Sequence, residues 1–270
     1  MRIGIVGLGL IGGSLGAAFR AAGHQVIGSD RDPTAAGIAA NRDLVDATAS
    51  TAEVASNAEV IFICLPIPET LSTIPAVAGL MDRAAVLTDV ASVKRSVLGV
   101  MEAQAAAARC VGGHPLAGRE RSGPDAADPD LFRDAPYAVV PGERTQRGAV
   151  EVVEHLVADL GARSLEIEAD AHDAMVARTS HLPQLLSSAL SGALDGGRHD
   201  PLRGPGLAGM LRLAASDDGL WTEILLQNAD HVSGALRGII QILEEAAGSL
   251  DRRDFDAVQS LLRRGRQAVT

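Results

Sequence analysis

Near the start of the chain stands Ile3-Gly4-Ile5-Val6-Gly7-Leu8-Gly9-Leu10-Ile11-Gly12-Gly13-Ser14. Its first four residues form an apolar run typical of a buried strand, and a Gly-x-Gly-x-x-Gly motif follows directly. We expect a helix over 15–22 that stops at Gly23, and then a second strand over 24–29 that leads into Asp30. Strand, glycine motif, helix, strand and acid in this order predict a Rossmann-type dinucleotide-binding unit.

Each glycine of the motif has a separate physical reason. Gly7 permits the tight turn after the strand, Gly9 lets the backbone approach a pyrophosphate, and Gly12 allows the helix to pack closely on the strand. The free amides at the start of the helix would bind the phosphates. Leu10 and Ile11, within the motif, are also expected to contact the cofactor. The motif therefore predicts a bound dinucleotide.

The residues that follow two predicted strands help to distinguish NAD from NADP as the bound dinucleotide. Asp30 lies eighteen residues beyond Gly12, where an acid hydrogen-bonds the adenosine ribose hydroxyls and repels a 2′-phosphate. Arg31 argues for NADP, because an arginine there can accommodate that phosphate. We expect NAD rather than NADP, with Leu65 and Pro66 also lining the cofactor site.

The alternation of strand and helix continues over the first half of the chain. Further apolar strands are predicted at 59–65, 85–88, 107–111 and 137–140. In an open α/β sheet, ligands bind at the carboxyl ends of the strands. Pro66, Ser92 and His114 each follow such a strand, so we expect one crevice to gather them.

His114 stands in the stretch Gly112-Gly113-His114-Pro115-Leu116-Ala117-Gly118-Arg119-Glu120-Arg121-Ser122-Gly123. Glycine and proline disfavour the interior of a helix or strand, so we predict a rigid loop that presents the imidazole. Beside a nicotinamide this histidine would act as a base or hydrogen-bond acceptor; the alternative is a histidine in a surface turn. The sequence likewise allows two roles for Ser92, as a catalytic partner or as an ordinary helix N-cap.

Bulk composition excludes several classes of function. The net charge is −10 and the aromatic residues are one Trp, one Tyr and four Phe, so we expect no nucleic-acid partner. An acidic chain is repelled by an anionic membrane surface, and the sequence has no apolar run long enough to span a bilayer. Cys64 and Cys110 have no metal-ligand spacing and are predicted to be buried free thiols of a cytoplasmic protein without a bound metal.

The second half of the chain shifts to Ala and Leu at helical spacing. Helices are predicted over 171–194, with an interruption at Pro183, over 221–247 and over 254–270. Helices that are apolar on most faces need other helices to bury them, and in so small a lobe a second subunit supplies part of that cover. We therefore predict an α/β Rossmann NAD-binding domain over 1–165 and an all-α dimerisation and substrate domain over 166–270.

For several residues of this half, the sequence allows either a packing role or a functional role. His181 interrupts the most apolar helix as a core histidine or as a site residue. Arg212, between apolar neighbours, is either an arginine that snorkels to water or the anchor of a substrate carboxylate. Trp221 has packing as its default role, and the Gly-, Pro- and Arg-rich stretch 192–209 is predicted to be a loop that could close as a lid.

Taken together, these segments resemble the prephenate dehydrogenase family, the prephenate, arogenate and cyclohexadienyl dehydrogenases of tyrosine biosynthesis. The resemblance extends over nearly the whole length, and its motifs follow one another in family-like order and spacing. They are Gly7-Leu8-Gly9-Leu10-Ile11-Gly12-Gly13-Ser14, Asp89-Val90-Ala91-Ser92-Val93-Lys94, Gly113-His114-Pro115-Leu116-Ala117-Gly118 with Glu120 and Ser122-Gly123, Ser180-His181-Leu182-Pro183, and Arg212-Leu213-Ala214-Ala215-Ser216-Asp217 with Trp221.

The resemblance implies the oxidative decarboxylation of a dicarboxylate cyclohexadienol. Hydride leaves C4 of the ring for C4 of NAD⁺, the ring carboxylate departs as CO₂, and the ring becomes aromatic. The histidine matching His114 accepts the proton of the C4 hydroxyl, and the serine matching Ser92 orients that histidine and the nicotinamide. The arginine matching Arg212 binds a substrate carboxylate, while Glu120 and His181 complete a polar network. The resemblance also implies a homodimer formed through the helical domain.

Which cyclohexadienol is oxidised is left open by the sequence. Arg119 stands where many relatives carry a small polar residue such as Thr. A cation there would disfavour the ammonium of arogenate, so we predict prephenate as the substrate. Arogenate, or an amino-substituted prephenate of a secondary pathway, is the alternative.

The sequence also bears on two other classes of protein. A non-catalytic NAD-sensing protein would need the glycine motif but not His114, Ser92 and Arg212 together. A dehydrogenase of the β-hydroxyacid or imine-reductase type uses a lysine of its helical domain. The one lysine of this chain, Lys94, lies in the first half, which argues against that class.

Overall fold

The computed structural model of the protein describes residues 1–119, 121–194 and 204–268. Its first half contains one sheet of eight strands: β1 (Arg2–Val6), β2 (Gln25–Ser29), β3 (Ala47–Thr48), β4 (Val60–Ile63), β5 (Val86–Asp89), β6 (Cys110–Pro115), β7 (Pro136–Pro141) and β8 (Arg163–Glu166). The strand order is β3-β2-β1-β4-β5-β6-β7-β8, and neighbouring strands are parallel except β6 and β7. The predicted Rossmann-type α/β architecture is confirmed.

Helices alternate with these strands: α1 (Leu10–Ala21), α2 (Pro33–Asn41), α3 (Thr51–Asn57), α4 (Ile67–Leu80), α5 (Arg95–Glu102) and α6 (Arg147–Asp159). The chain passes from β1 to β2 and β3 on one side and returns to place β4 on the other side of β1. The carboxyl ends of β1 and β4 therefore flank the switch point at which an open sheet of this kind binds its ligand.

Both faces of the sheet are buried, which explains why its central strands are continuous apolar runs. Along β4, Val60 and Phe62 pack in the cluster that contains Phe19 of α1. Ile61 packs on the opposite face, in the cluster that contains Ile74 of α4. The strand ends that carry polar residues are therefore held by apolar packing from both sides.

His114 lies in a strand, so the prediction of a loop from residue 112 is wrong. β6 pairs antiparallel with β7, and His114 stands opposite Ala138. A Cβ on Gly113 would lie 2.5 Å from the carbonyl oxygen of Asp89, so glycine is needed for this close approach. Pairing with β7 outweighs the weak strand propensity of glycine. The described residues 116–119, beyond the strand, form no regular element.

A fully buried ion pair stands at the carboxyl end of β5. Lys94, the N-cap of α5, donates from Nζ to the Asp89 carboxylate and, at 2.6 Å, to the carbonyl oxygen of Gly113. The other oxygen of Asp89 accepts from the Gly113 amide at 3.0 Å. Burial lowers the pKa of the Lys94 ammonium from its ordinary value, and the Asp89 carboxylate opposes that shift. Both backbone groups of Gly113 are therefore tied to the pair, directly before His114.

Two compact units divide the chain: the described parts of 1–175 with 215–227, and those of 176–214 with 228–268. The first unit includes α10 (Asp218–Gln227), and α7 (Ala169–Val176) ends at the boundary between the units. The predicted division into 1–165 and 166–270 stays a prediction. The compact units differ from it because 166–175 and 215–227 group with the sheet.

The described elements of the second unit are helical: a π-helical turn (Ala177–His181), α8 (Leu182–Ala193), α9 (Pro205–Leu211), α11 (Ala229–Asp251) and α12 (Phe255–Gln267). Pro183 stands in the first turn of α8, directly after the π-helical turn, where its missing amide is tolerated. None of the described helices is both long and apolar enough to cross a membrane.

Two predictions for this half are wrong. The helix expected over 221–247 is broken at Asn228, whose buried side chain hydrogen-bonds His181 and whose backbone leaves the helical region. The loop expected over 192–209 is helical at both ends, since α8 runs to Ala193 and α9 begins at Pro205. Residues 195–203, the centre of the suggested lid, lie outside the described residues.

Replacing the buried lysine tests the importance of the ion pair. Lys94→Met leaves the Asp89 carboxylate buried without its cation, so we expect the free energy of unfolding to fall by about 3–5 kcal/mol. Adding Asp89→Asn removes the uncompensated charge, and the double variant should be more stable than Lys94→Met. Urea unfolding of the three proteins measures both effects. A Lys94→Met protein as stable as the wild type would contradict this account.

Candidate active site

The glycine turn after β1 combines two tight positions with an open one. Gly7 has a φ of +98°, and a Cβ there would lie 2.4 Å from the carbonyl oxygen of Cys64. A Cβ on Gly12 would lie 1.9 Å from the carbonyl oxygen of Gly7, whereas one on Gly9 would meet no described atom within 4 Å. Gly7 therefore lets the turn pack against the end of β4, Gly12 lets α1 pack against the turn, and the space beside Gly9 is open to a ligand.

The N-terminus of α1 faces this open space with its backbone amides. The helix begins at Leu10, earlier than the predicted residue 15, and Gly9 is its N-cap. Within the described residues 9–21, α1 has neither a side-chain cap nor an acid in its first turn. The first amides of a helix have no intrahelical acceptors and carry partial positive charge. The amides of Leu10 and Ile11 therefore fit the pyrophosphate of a dinucleotide.

Asp30 is fixed beside the glycine turn by backbone hydrogen bonds. Its Oδ2 accepts from the Leu8 amide at 2.7 Å, and its Oδ1 accepts from the Asp32 amide at 2.9 Å. A carboxylate oxygen has more than one lone pair, so both oxygens can still accept from ribose hydroxyls. Arg31 is exposed, with its Nη1 3.4 Å from Oε1 of Glu69.

The end of β4 supports the same turn. The side chain of Leu65 would lie 2.8 Å from a Cβ on Gly7, and Pro66 is the N-cap of α4. The hydroxyl of Thr70 donates to the carbonyl oxygen of Leu65 at 2.9 Å, which fixes the connection into the helix. Leu65 and Pro66 therefore stand beside the glycine turn, where the sequence predicts cofactor contacts.

Both cysteines are free thiols; Cys110 is buried as predicted, whereas Cys64 is only partly buried. Burial, with a smaller effect of the Asp89 charge, raises the pKa of the Cys64 thiol far above its ordinary value. Burial likewise raises the pKa of Cys110 to about 11. A thiol that stays protonated is a poor nucleophile, so neither cysteine suits covalent catalysis.

The ring of His114 is hydrogen-bonded to a second histidine. Its Nδ1 lies 2.9 Å from Nε2 of His172, and Nδ1 of His172 lies 2.8 Å from Oδ1 of Asp173. Both partners lie on α7 and were missed by the sequence analysis. An adjacent His and Asp in a predicted helix is a weak signal, because the contact joins residues 58 positions apart.

Asp173 connects this pair of histidines to the start of α5. Its two oxygens accept from the amides of Lys94 and Arg95, at 2.8 and 3.0 Å, and Nε of Arg95 lies 3.5 Å from Oδ2. Although burial alone would raise it, hydrogen bonds from His172, Arg95 and Lys94 hold the pKa of Asp173 below its ordinary value. The residue is therefore a carboxylate at neutral pH.

Ser92 lies between β5 and α5, at the same edge of the sheet as His114, and is half-buried. The alternative that it caps the helix is wrong, because α5 begins only at Arg95 and Lys94 is its N-cap. The hydrogen bond that the structure shows at Nδ1 of His114 goes to His172. An orienting role for Ser92 stays a prediction.

Beyond β6, Arg119 donates from Nη2 to the carboxylate of Asp128, with half of its side chain exposed. Glu120 lies outside the described residues. In the part of the chain that the structure describes, there is no group of three or more His, Cys, Asp or Glu side chains that could hold a metal ion.

The remaining predicted site residues, His181 and Arg212, lie in the second unit. His181 is buried, and its Nδ1 lies 3.3 Å from Nδ2 of Asn228. Arg212 is exposed and directly follows α9. What they do toward a substrate stays a prediction.

Helix α8 holds the segment that carries Arg212. Gln184 donates from Nε2 to the carbonyl oxygen of Leu213 at 2.9 Å. The amide of Ala214 donates to the hydroxyl of Ser187 at 3.0 Å. The backbone directly after Arg212 is therefore fixed from within its own unit.

Comparison with known families covers both halves of the chain. Residues 15–166 match the family described as prephenate dehydrogenase, nucleotide-binding domain, and residues 168–264 match prephenate dehydrogenase, dimerization domain. The two matches follow the order of the Rossmann-type sheet and the helical region.

Individual relatives extend the similarity over nearly the full length. The cyclohexadienyl dehydrogenase of Zymomonas mobilis is 30% identical over 94% of this chain and 90% of its own. The crystal structure of Synechocystis arogenate dehydrogenase is 30% identical, with a TM-score of 0.84 over 99% of this chain and 98% of that one. Prephenate dehydrogenase from A. aeolicus, crystallised with hydroxyphenyl propionate and NAD⁺, is 25% identical, with a TM-score of 0.90 over 100% and 98%. The chain therefore belongs to the prephenate dehydrogenase family of oxidoreductases.

Proposed function

We propose that this enzyme catalyses the NAD-dependent oxidative decarboxylation of prephenate to 4-hydroxyphenylpyruvate, a step of tyrosine biosynthesis. The observation that carries the proposal is the placement of His114 at the carboxyl end of β6, with its ring fixed by His172 in the unit that contains the glycine turn. Such a sheet end is where an open α/β fold binds its substrate.

The cofactor site favours NAD over NADP. Asp30 is a fixed carboxylate beside the glycine turn, and it would accept from ribose hydroxyls while repelling a 2′-phosphate. Arg31 is ion-paired with Glu69, whose negative charge also disfavours a phosphate there. When bound, NAD⁺ supplies the acceptor for the hydride that leaves C4 of the substrate ring.

His114 is the proposed base. Its Nε2 accepts the proton of the C4 hydroxyl while the C4–H bond breaks, which general-base catalysis accelerates by about 10²–10⁴. The ring carboxylate leaves as CO₂, and the electrons of the broken carbon–carbon bond complete the aromatic ring. The proton then returns from His114 to the phenolic oxygen, so the reaction releases no net proton. Arg212 binds a substrate carboxylate, and Ser92, His181 and Glu120 complete the polar site.

Prephenate is proposed over arogenate because Arg119 would disfavour the ammonium of arogenate. One observation favours the alternative: the Arg119 guanidinium is paired with Asp128, which offsets its charge. The names of the relatives span prephenate, arogenate and cyclohexadienyl dehydrogenases, so they agree with either substrate. We further propose a homodimer formed through the helical domain, within which residues 168–264 match a dimerization domain. We also propose a cytoplasmic location, in keeping with two free thiols.

The proposal is tested by following NADH or NADPH formation with prephenate and with arogenate, each offered with NAD⁺ and with NADP⁺. We expect turnover of prephenate with NAD⁺. Turnover of arogenate only would keep the chemistry and overturn the choice of substrate. A lack of turnover in all four mixtures would favour the amino-substituted substrate or a non-catalytic sensor.

Removing the proposed base should abolish most of the rate. For His114→Asn we expect kcat to fall by about 10²–10⁴, with the Kd for NAD⁺ unchanged, because the amide cannot take up the hydroxyl proton. Steady-state kinetics and calorimetric titration of NAD⁺ measure the two quantities. The control is His155→Asn, at an exposed histidine of α6, which should keep the wild-type kcat. A near-normal kcat for His114→Asn would contradict the assignment.

Removing the proposed carboxylate anchor should act on binding. For Arg212→Ala we expect a large rise in the KM for prephenate with a modest change in kcat, because a contact made equally in ground and transition states affects KM. Arg237→Ala, at another exposed arginine of the second unit, is the control. An unchanged KM in Arg212→Ala would remove Arg212 from the substrate site.

The open position in the glycine turn tests the cofactor cradle. A methyl group at Gly9 would occupy the space assigned to the pyrophosphate, so Gly9→Ala should raise the Kd for NAD⁺ by about ten- to hundred-fold. Its stability should change by less than about 1 kcal/mol, because a Cβ there would meet no described atom. Gly37→Ala, on α2 and equally free of described neighbours, should leave the Kd unchanged. Wild-type affinity in Gly9→Ala would place the pyrophosphate elsewhere.

A further inference from the structure

We infer that His172 and Asp173 are positioning residues that hold His114 as the tautomer with its proton on Nδ1. This leaves Nε2 of His114 unprotonated. The inference rests on the proposed function only in naming the proton that Nε2 then accepts. The geometry on which it depends is a hydrogen-bonded series from His114 through His172 to Asp173.

The series begins at Asp173, which can only accept. This carboxylate is fully buried and accepts from the amides of Lys94 and Arg95. Because an ionised carboxylate has no proton to donate, Nδ1 of His172, 2.8 Å away, must be the donor. The first hydrogen bond of the series therefore has a fixed direction.

The charge on His172 decides the direction of the next hydrogen bond. The charged groups around it include the carboxylate of Asp173 and the buried Lys94–Asp89 pair. The Arg95 guanidinium lies 3.5 Å from the Asp173 carboxylate and 3.4 Å from that of Asp170, so it is shared between the two. Asp173 is thus already countered by a cation and by two backbone amides. In the proposed arrangement the almost fully buried His172 is the neutral imidazole, so that no second cation lies in this part of the fold.

A neutral His172 that donates from Nδ1 has its lone pair on Nε2. The contact of 2.9 Å with His114 then requires that Nδ1 of His114 carry the proton. The lone pair of His114 consequently lies on Nε2, which is the arrangement a base needs. When Nε2 takes a proton, the Nδ1–H···His172 bond persists, and Asp173 stabilises the new charge through His172 without rearrangement.

A matched pair of variants separates positioning from packing. In His172→Gln the amide oxygen reaches the place of Nε2 and can still accept from Nδ1 of His114. In His172→Asn the shorter amide can still donate to Asp173 but no longer reaches His114. We expect kcat to fall about ten- to hundred-fold in His172→Asn and to stay within about five-fold of wild type in His172→Gln. The KM for prephenate and the Kd for NAD⁺ should hardly change in either. Equal losses of kcat in the two variants would overturn the inference.

A second measurement needs no substrate. Nitrogen-15 NMR of histidine-labelled free enzyme distinguishes Nδ1–H from Nε2–H tautomers, and the signals missing in His114→Asn identify the His114 ring. We expect the Nδ1–H tautomer in wild type and in His172→Gln, and a mixture in His172→Asn. An Nε2–H tautomer in wild type would overturn the inference even if prephenate is oxidised. An Nδ1–H tautomer in an enzyme that oxidises no cyclohexadienol would support the positioning role while the proposed function fails.

Discussion

The buried pair of Asp89 and Lys94 is the interaction on which the site depends. The backbone ladder between β5 and β6 joins Leu87 to Cys110 and Thr88 to Val111. Beyond the last of these backbone pairs, the side chains of Asp89 and Lys94 bind the amide and the carbonyl of Gly113 and take over the role of the backbone ladder. A buried ion pair stabilises a fold only when its hydrogen bonds are well satisfied, and losing one partner is costly. The backbone before His114 is therefore held by a buried ion pair whose disruption is costly.

The junction between β5 and α5 fixes His114 in two ways. The side chains of Asp89 and Lys94 bind the backbone before it, while the amides of Lys94 and Arg95 bind Asp173, whose neighbour His172 meets the imidazole ring. Backbone position and ring orientation thus come from one short segment. Such a rigid support would let His114, the proposed base, act without reorganisation, because its geometry is set before the substrate arrives.

Local sequence predicted those parts of the site that neighbouring residues create. The glycine motif, Asp30 and the strand ends were identifiable because their spacing reflects a turn and the strands beside it. His172 could not be found, since its contact with His114 depends on where α7 packs against the sheet. The same limit explains two errors: pairing with β7 makes His114 part of a strand, and the hydrogen bond between Asn228 and His181 accompanies a break in a helix that looked continuous.

The most direct test of the account is the stoichiometry of the reaction. Wild-type enzyme would be mixed with prephenate and excess NAD⁺, and the CO₂ released and the NADH formed would be measured in the same sample. We expect one CO₂ for each NADH, because aromatisation couples loss of the carboxylate to removal of the C4 hydrogen. NADH without CO₂ would reveal a simple alcohol dehydrogenase, and CO₂ without NADH a decarboxylase; either result would contradict the account.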